Sequence, residues 1–204
     1  MNAWGRVQKR TFDILFALFG LFLTGWIILI AFVVASIETK SFGLFIQKRV
    51  GKEGKLFNVL KIKTMREIEG IEHTHTSSLD PRITKSGKFF RDTKIDELPQ
   101  FFNVLFGSMS FVGPRPDVEG YADMLEGEDR IILSIRPAIT GPASIKYKNE
   151  EEILAKQSNP KEYNDRVIWR DKVRINKEYV KNWTFQKDIL YIIQTVTGKN
   201  LIGA

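Results

Sequence analysis

The chain contains no cysteine at all. This absence excludes a disulfide scaffold, a zinc site with cysteine ligands and a thiol nucleophile. Glycine and proline are few, at 15 and 7 of 204 residues, so the chain is neither collagen-like nor a low-complexity linker. Hydrophobic residues make up 43% and aromatic residues 12%, which excludes a disordered chain. A folded protein with a sizeable apolar interior is therefore expected.

The charged residues are unequal in sign. Lys and Arg number 31 against 24 Asp and Glu, which gives a net charge of +7. Such an excess favours an anionic partner: a nucleic acid, an acidic lipid or a phosphorylated substrate. No nucleic-acid motif with interleaved aromatic residues is present, so we expect no nucleic-acid partner.

A single long apolar run extends from Ile14 to Ile37 without a charged residue. As a helix it would measure about 36 Å, enough to cross a hydrocarbon core of about 30 Å. The run is longer than the apolar core of a signal peptide, and a buried core helix rarely reaches this length. We therefore predict that this segment inserts into a membrane.

Basic residues flank the apolar run on both sides, with Lys9 and Arg10 before it and Lys40 and Lys48 among those after it. Because Lys and Arg mark the cytoplasmic side, a single crossing would place one basic cluster on the wrong side. A re-entrant helix satisfies both clusters, and Thr24-Gly25 offers a break near its midpoint. We predict a re-entrant membrane segment over residues 1–40 and a cytoplasmic domain over 41–204.

The remaining pattern predicts a helix-rich α+β fold, with amphipathic helices at the membrane interface of a monotopic membrane protein. Gly51 to Gly54 separates two apolar runs and predicts a β-hairpin. Helices are expected from Gly87, from Pro99, over 150–156 and over 162–181. The spacing of Ile189, Ile192, Ile193 and Val196 predicts a last helix with a core-facing stripe. The polar composition of residues 67–82 predicts a surface loop. His73 and His75 lie within it, and we interpret them as solvated loop residues rather than as metal ligands.

Two adjacent carboxylates, Asp96 and Glu97, precede the helix that begins at Pro99. Capping of that helix is one explanation. The surrounding phenylalanines and cations favour another, a reactive pair held at the membrane interface. Arg115, between two prolines, suits phosphate recognition, with a structural salt bridge as the alternative. Carboxylates beside phosphate predict bound Mg²⁺, and an aspartate can act as a nucleophile on phosphorus.

The order of several short motifs is also informative. They are Lys9-Arg10-Thr11-Phe12-Asp13, Gln47-Lys48-Arg49-Val50-Gly51, Lys61-Ile62-Lys63-Thr64-Met65, Asp80-Pro81-Arg82-Ile83-Thr84, Arg91, Asp96-Glu97-Leu98-Pro99-Gln100, Asn103-Val104-Leu105, Gly107-Ser108-Met109-Ser110, Val112-Gly113-Pro114-Arg115-Pro116, Arg136-Pro137 and Ile139-Thr140-Gly141. In this order the chain resembles the bacterial sugar transferases, the small monotopic phosphoglycosyl transferases.

The resemblance implies transfer of a sugar 1-phosphate from a UDP-sugar to undecaprenyl phosphate, with release of UMP. In this family an Asp-Glu dyad, matched here by Asp96 and Glu97, works by ping-pong covalent catalysis with Mg²⁺. Asp96 would be the nucleophile, and both carboxylates would hold the metal ion. Arg91 and Arg115 match arginines that engage phosphate, and Lys61 is grouped with them. The implied setting is the cytoplasmic face of the bacterial inner membrane, with membrane lipids as partners and a homodimer left open.

The chain departs from the family pattern at two places. It has Thr24-Gly25 where many relatives have Ser-Pro, and residues 142–150 replace a Gly-x-Ala-Gln run, so no sugar specificity is carried over. Larger relatives add N-terminal transmembrane helices that are not found in this sequence, so a minimal catalytic form is expected. Two alternatives stay open: a membrane-anchored basic binding or scaffold protein without catalysis, and an enzyme whose Asp96 is a base that activates the lipid phosphate directly.

Overall fold

A computed structural model describes residues 1–68 and 80–199. Helix α1 spans Ala3–Thr39 and is followed by β1 (Leu44–Val50) and β2 (Leu56–Ile62). Helices α2 (Lys85–Thr93) and α3 (Gln100–Phe106) come next, then strands β3 (Ser110–Val112) and β4 (Ala138–Thr140). Five further α-helices follow up to residue 199, where the described part ends: α4 (Pro142–Lys146), α5 (Glu150–Ala155), α6 (Pro160–Tyr163), α7 (Trp169–Lys181) and α8 (Phe185–Thr197). The helix-rich α+β prediction is confirmed, and His73 and His75 lie outside the described residues.

The predicted β-hairpin is present. Strands β1 and β2 pair antiparallel from Leu44 opposite Ile62 to Val50 opposite Leu56. The tight connection between them requires positive φ angles at Glu53 (61°) and Gly54 (77°), and the second of these is a conformation that glycine adopts without strain. Strands β3 and β4 form a separate parallel pair, with Ser110 opposite Ala138 and Val112 opposite Thr140.

Helix α1 is continuous through Thr24-Gly25, so the predicted interruption there is wrong. The Thr24 hydroxyl donates a hydrogen bond to the Gly20 carbonyl oxygen at 2.7 Å, and this bond back into the preceding turn is compatible with the helix. The helix is long and apolar enough to cross a membrane by length and composition. Within the described residues it is the single helix of that kind.

One face of α1 packs against the rest of the protein along the whole length of the helix. Near its start, Lys9 forms an ion pair with Asp188 of α8 at 2.6 Å. Near its end, the Ser86 backbone N–H donates to the Glu38 carboxylate at 3.3 Å. The opposite face exposes a row of large apolar side chains, among them Leu15, Leu18, Phe19, Phe22, Leu23, Trp26, Leu29, Ile30 and Val33. A helix held by one body at both ends is consistent with a monotopic membrane protein.

The main core forms where α1 meets α3, β3 and α7. Ala17, Val104, Met109, Phe111 and Tyr179 are buried together there. A second cluster joins the later turns of α1, through Ile28 and Ala31 among others, to β2 and α2. Helix α1 thus contributes side chains to the core. The division into a membrane segment over 1–40 and a catalytic domain over 41–204 stays a prediction.

Several predicted helices are confirmed with shifted ends. The helix expected from Pro99 starts at Gln100, and Pro99 is the residue that precedes it. The helix expected over 162–181 is interrupted by a π-helical turn, Asn164–Ile168.

The predicted core-facing stripe of α8 is wrong for two of its members. Ile193 is 41% exposed and Val196 is 81% exposed. Asp188 is buried instead, at 2% exposure, and Tyr191 and Ile192 pack beside the main core. The reason is that the first half of α8 is oriented by the hydrogen bonds of Asp188, and the last turns extend beyond the core.

We expect replacement of Lys9 to weaken the docking of α1. In Lys9→Met the buried Asp188 carboxylate keeps its bonds from Tyr179 and Trp183 but loses its cation. Removing one partner of a buried ion pair costs about 3 kcal/mol or more of unfolding free energy. Thermal unfolding in detergent measures this loss. Lys55→Met, at a side chain that is 82% exposed, is the control, and an equal effect of the two changes would contradict the prediction.

Candidate active site

The two carboxylates lie on a short 3₁₀ turn, Ile95–Glu97, between α2 and α3. Lys94 begins this turn with a left-handed backbone (φ 60°), which redirects the chain after α2. Asp96 is 8% exposed, and the side chain of Glu97 is 17% exposed. Pro99 precedes α3 without a side-chain cap, and in the described part of the chain neither carboxylate accepts a backbone N–H. The capping explanation is therefore wrong.

Glu97 is held by two cations that come from different elements. Lys61 of β2 approaches Glu97 Oε1 with its Nζ at 3.1 Å, and Arg115, which follows β3, approaches the same oxygen with Nη2 at 2.5 Å. Burial alone would raise the pKa of Glu97, but the charges of Arg115 and Lys61 outweigh burial and lower it to about 2. Glu97 is consequently an anion at neutral pH.

Asp96 lies in a different environment from its neighbour. Burial raises the pKa of Asp96 above its ordinary value, and the negative charge of Glu97 raises it further, against the smaller effects of Lys61, Lys94 and Arg91. Its Oδ1 atom is buried and has no hydrogen-bond partner among the described residues. A carboxylate oxygen with few hydrogen bonds is more basic and more nucleophilic than a solvated one. The lone pairs of this oxygen are therefore not used by any group among the described residues.

Four of the five residues predicted from the sequence meet at one place: Asp96, Glu97, Lys61 and Arg115. Arg91 lies apart from the Glu97 ion pairs. Its Nε donates to the Thr64 hydroxyl at 2.9 Å, and its charge acts on Asp96 from a longer distance. The roles assigned to these residues stay predictions.

The close approach of two backbone segments fixes the position of Arg115. A Cβ atom on Gly141 would collide with the carbonyl oxygen of Gly113, so the ends of β3 and β4 can meet only with glycine at that position. Arg115 lies two residues after Gly113, and its Nη1 donates to the Ile139 carbonyl at 3.4 Å. The stiff Gly-Pro-Arg-Pro segment is thereby attached to the sheet, and the guanidinium extends to Glu97.

The sequence reasoning assigned no role to Asn103, which connects α3 to β2. Its side-chain amide donates to the Asn58 carbonyl at 2.7 Å and accepts from the Leu60 backbone N–H at 3.0 Å, as a neighbouring strand would. Lys61 is the next residue on β2, so this pairing sets where its ammonium meets Glu97. Asparagine lowers the stability of a helix. Its presence among the apolar residues of α3 is therefore the feature of the sequence that could have indicated a role for Asn103.

Another residue close to Arg115 in the chain also has no role predicted from the sequence. Asp117 lies two residues further on, and its backbone carbonyl accepts from Val50 N at 2.9 Å. Burial raises the pKa of Asp117 to about 6, although Lys172 and Arg49 act to lower it. Burial also lowers the pKa of Arg49, while the charge of Asp117 acts to raise it. Arg115 is thus surrounded by alternating charges.

The carboxylates fit the oxygen ligands that Mg²⁺ prefers. Within residues 1–68 and 80–199, no group of three or more His, Cys, Asp or Glu side chains forms a metal cluster. Mg²⁺ is commonly held by one or two carboxylates together with substrate phosphates, so a two-carboxylate set is compatible with it. The unpartnered Asp96 Oδ1 is a hard oxygen that such an ion would satisfy.

Comparison with known proteins decides the family. The family model described as bacterial sugar transferase matches residues 4–199. The chain belongs to this family. Membership favours an enzyme over the basic binding or scaffold protein that the sequence had left open.

Individual relatives agree with the family match. A UDP-glucose:undecaprenyl-phosphate glucose-1-phosphate transferase of Klebsiella pneumoniae is 35% identical over 204 residues, covering 96% of this chain and 41% of that protein. The galactosyl transferase CpsE of Streptococcus agalactiae serotype III is also 35% identical, covering 93% of this chain and 41% of that protein. The uncharacterized sugar transferase EpsL of Bacillus subtilis is 34% identical over 193 residues, covering 93% and 86%. The chain thus spans about two fifths of the first two relatives.

The lowered pKa of Glu97 predicts a pH-dependent part of the stability of the transferase. Glu97 has a pKa of about 2 when folded against an ordinary 4.5, so its ion pairs stabilise the fold fully above about pH 4.5. This contribution is lost as the pH falls towards 2. We expect the difference in melting temperature between the native chain and Glu97→Gln to shrink over that interval. A difference that stays constant from pH 7 to pH 3 would contradict the prediction.

Proposed function

We propose that this transferase moves a sugar 1-phosphate from a UDP-sugar to undecaprenyl phosphate, giving an undecaprenyl-diphospho-sugar and UMP. Two relatives, from Klebsiella pneumoniae and Escherichia coli, are named for this kind of transfer with glucose. The observation that carries the proposal is the arrangement of the dyad. Asp96 has a buried, unpartnered oxygen, and Glu97 next to it is held by two cations suited to phosphate. The product would start the assembly of a surface glycan or a glycoprotein oligosaccharide.

The proposed reaction has two steps at one phosphorus atom. In the first, an Asp96 carboxylate oxygen attacks the sugar-bearing phosphorus, the bond to UMP breaks, and UMP leaves with the electron pair. In the second, a phosphate oxygen of undecaprenyl phosphate attacks the same phosphorus and the bond to Asp96 breaks. The carboxylate is restored without transfer of a proton. A covalent intermediate lets a soluble donor and a lipid acceptor use one site in turn.

The cationic residues of the site would mainly neutralise the negative charge of the phosphates. Lys61 and Arg115 would stabilise the negative charge that develops on the departing UMP. Arg91 would attract the donor to the same region through its charge. Mg²⁺ held by Asp96 and Glu97 would, when bound, neutralise further phosphate charge.

We further propose that the protein lies on the cytoplasmic face of the bacterial inner membrane, with the outer face of α1 in the lipid. Exposed phenylalanines beside α1 support this orientation: Phe42 at 64%, Phe89 at 57% and Phe106 at 79%. The basic residues before and after the apolar run Ile14 to Ile37 then lie on the same side of the bilayer, because Lys and Arg mark the cytoplasmic side. In this location a lipid-linked phosphate would be within reach of the dyad.

The first test is release of UMP from a panel of UDP-sugars by the purified protein with Mg²⁺ and undecaprenyl phosphate. We expect lipid-dependent release from at least one donor, and loss of at least about a thousandfold in Asp96→Asn because the nucleophile is gone. Unchanged turnover in Asp96→Asn would remove Asp96 as the nucleophile.

A donor-only incubation separates covalent catalysis from direct attack by the lipid. With UDP-sugar and no acceptor, the covalent mechanism predicts about one UMP per active site and a protein mass increased by one phosphosugar. If Asp96 were a base for the lipid phosphate, neither signal would arise without acceptor.

The orientation of α1 can be tested with single cysteines, because the chain has none of its own. Ala3→Cys and Ser41→Cys flank the membrane segment. In intact cells we expect a membrane-impermeant reagent to label neither residue, because both ends contact the same cytoplasmic body. Labelling of one residue alone would show that α1 crosses the membrane. Labelling of both after lysis is the control for reactivity.

A further inference from the structure

Lys61 and Arg115 approach a single oxygen atom, Oε1 of Glu97, at 3.1 Å and 2.5 Å. The two cations belong to separate parts of the fold, since Lys61 is on β2 and Arg115 follows β3. Their convergence is therefore produced by tertiary structure. A compact ammonium and a planar guanidinium directed at one point are the donors that bind a phosphate oxygen well.

The cations are more accessible than the carboxylate that they hold. The side chain of Arg115 is 47% exposed and that of Lys61 is 25% exposed, against 17% for Glu97. A soluble anion can therefore reach the cations from the solvent side while Glu97 contacts them from within. Glu97 and the incoming phosphate would compete for the same N–H groups.

We propose that Glu97 acts as an internal substitute for the diphosphate of the donor. In the free protein its carboxylate keeps Lys61 and Arg115 converged, and it releases them when the diphosphate binds. The identity of that ligand as the donor rests on the proposed function. The exchange itself requires only that a multiply charged phosphate displace a singly charged carboxylate.

The exchange imposes an order on the assembly of the site. While Glu97 Oε1 is bound by both cations, it is a poor ligand for a divalent cation. After the diphosphate has taken over Lys61 and Arg115, Glu97 is free beside the unpartnered Asp96 Oδ1. Two hard oxygens then become available next to the bound phosphates. The competition also weakens the apparent affinity for small, singly charged anions, which cannot displace Glu97 effectively.

Binding of inorganic pyrophosphate tests the proposal without nucleotide, lipid or metal. The full chain in detergent is titrated calorimetrically at low ionic strength with a chelator present. We expect Glu97→Gln to bind pyrophosphate about fivefold to tenfold more tightly than the native chain, because the neutral amide competes weakly for the two cations. The double variant Lys61→Met with Glu97→Gln is expected to lose this gain.

Asp92→Asn is the control, because Asp92 is an exposed carboxylate of α2 that pairs with Lys88, so the change removes one negative charge without releasing Lys61 or Arg115. We expect its pyrophosphate affinity to stay within about twofold of the native value. An equal gain in Asp92→Asn and Glu97→Gln would show a general charge effect and overturn the proposal, as would no gain in Glu97→Gln. Glu97→Asp, whose shorter side chain reaches the cations less well, provides a second variant with an expected intermediate gain. Absence of UMP release together with the expected pyrophosphate shift would refute the transfer reaction and leave the exchange intact.

Discussion

The buried ion pair between Lys9 and Asp188 is the contact on which the rest of the structure depends. Lys9 also donates to the Val112 carbonyl at 2.8 Å, at the end of β3. Asp188 in turn accepts from Tyr179 and Trp183. The free-energy cost of burying the Lys9 ammonium is offset because it pairs with an aspartate and also contacts a hydroxyl and a carbonyl oxygen. One polar cluster thus joins the first turns of α1 to β3, α7 and α8.

The same turns of α1 extend to both halves of the active site. Asp13 accepts from the Ser110 hydroxyl and the Phe111 N–H on β3, the strand that leads to Arg115. Arg10 donates to the Val104 and Leu105 carbonyls at the end of α3, the helix that follows the dyad. The helix that exposes a long apolar face therefore also positions the segments that carry the two carboxylates and Arg115.

The two neighbouring carboxylates differ because their surroundings differ. Glu97 has two cations and remains ionised, whereas the pKa of Asp96 is raised by burial and by Glu97 itself. Two neighbouring carboxylic acids whose pKa values are shifted in opposite directions commonly have different roles, although their functional groups are identical. Glu97 contacts Lys61 of β2 and Arg115, whereas the Oδ1 atom of Asp96 has no partner among the described residues. The difference in pKa between the two residues follows from these contacts.

Local signals in the sequence predicted the local parts of this structure. The glycines at 51 and 54 marked the hairpin, and the phenylalanines and cations around Asp96 and Glu97 favoured a reactive pair over a helix cap. The predicted core-facing stripe on α8 was wrong for Ile193 and Val196. A periodic apolar pattern shows which side of a helix is apolar, but it does not show how far along the helix the core extends. The role of Asn103 was beyond local reasoning, since its partners on β2 lie 43 and 45 residues away. The ion pairs of Glu97 likewise join segments that only the folded chain brings together.

The distance between Lys9 and Asp188 along the chain has a consequence for biosynthesis. These residues are 179 positions apart, so the aspartate leaves the ribosome long after the lysine. During that time α1 carries an unpaired ammonium near its start, which remains at the water boundary and holds that end of the nascent helix there. The partner arrives only with the last helix, so final attachment of the N-terminal segment is a late event of synthesis. A ribosome stalled before α8 would leave the Lys9 ammonium without its carboxylate partner.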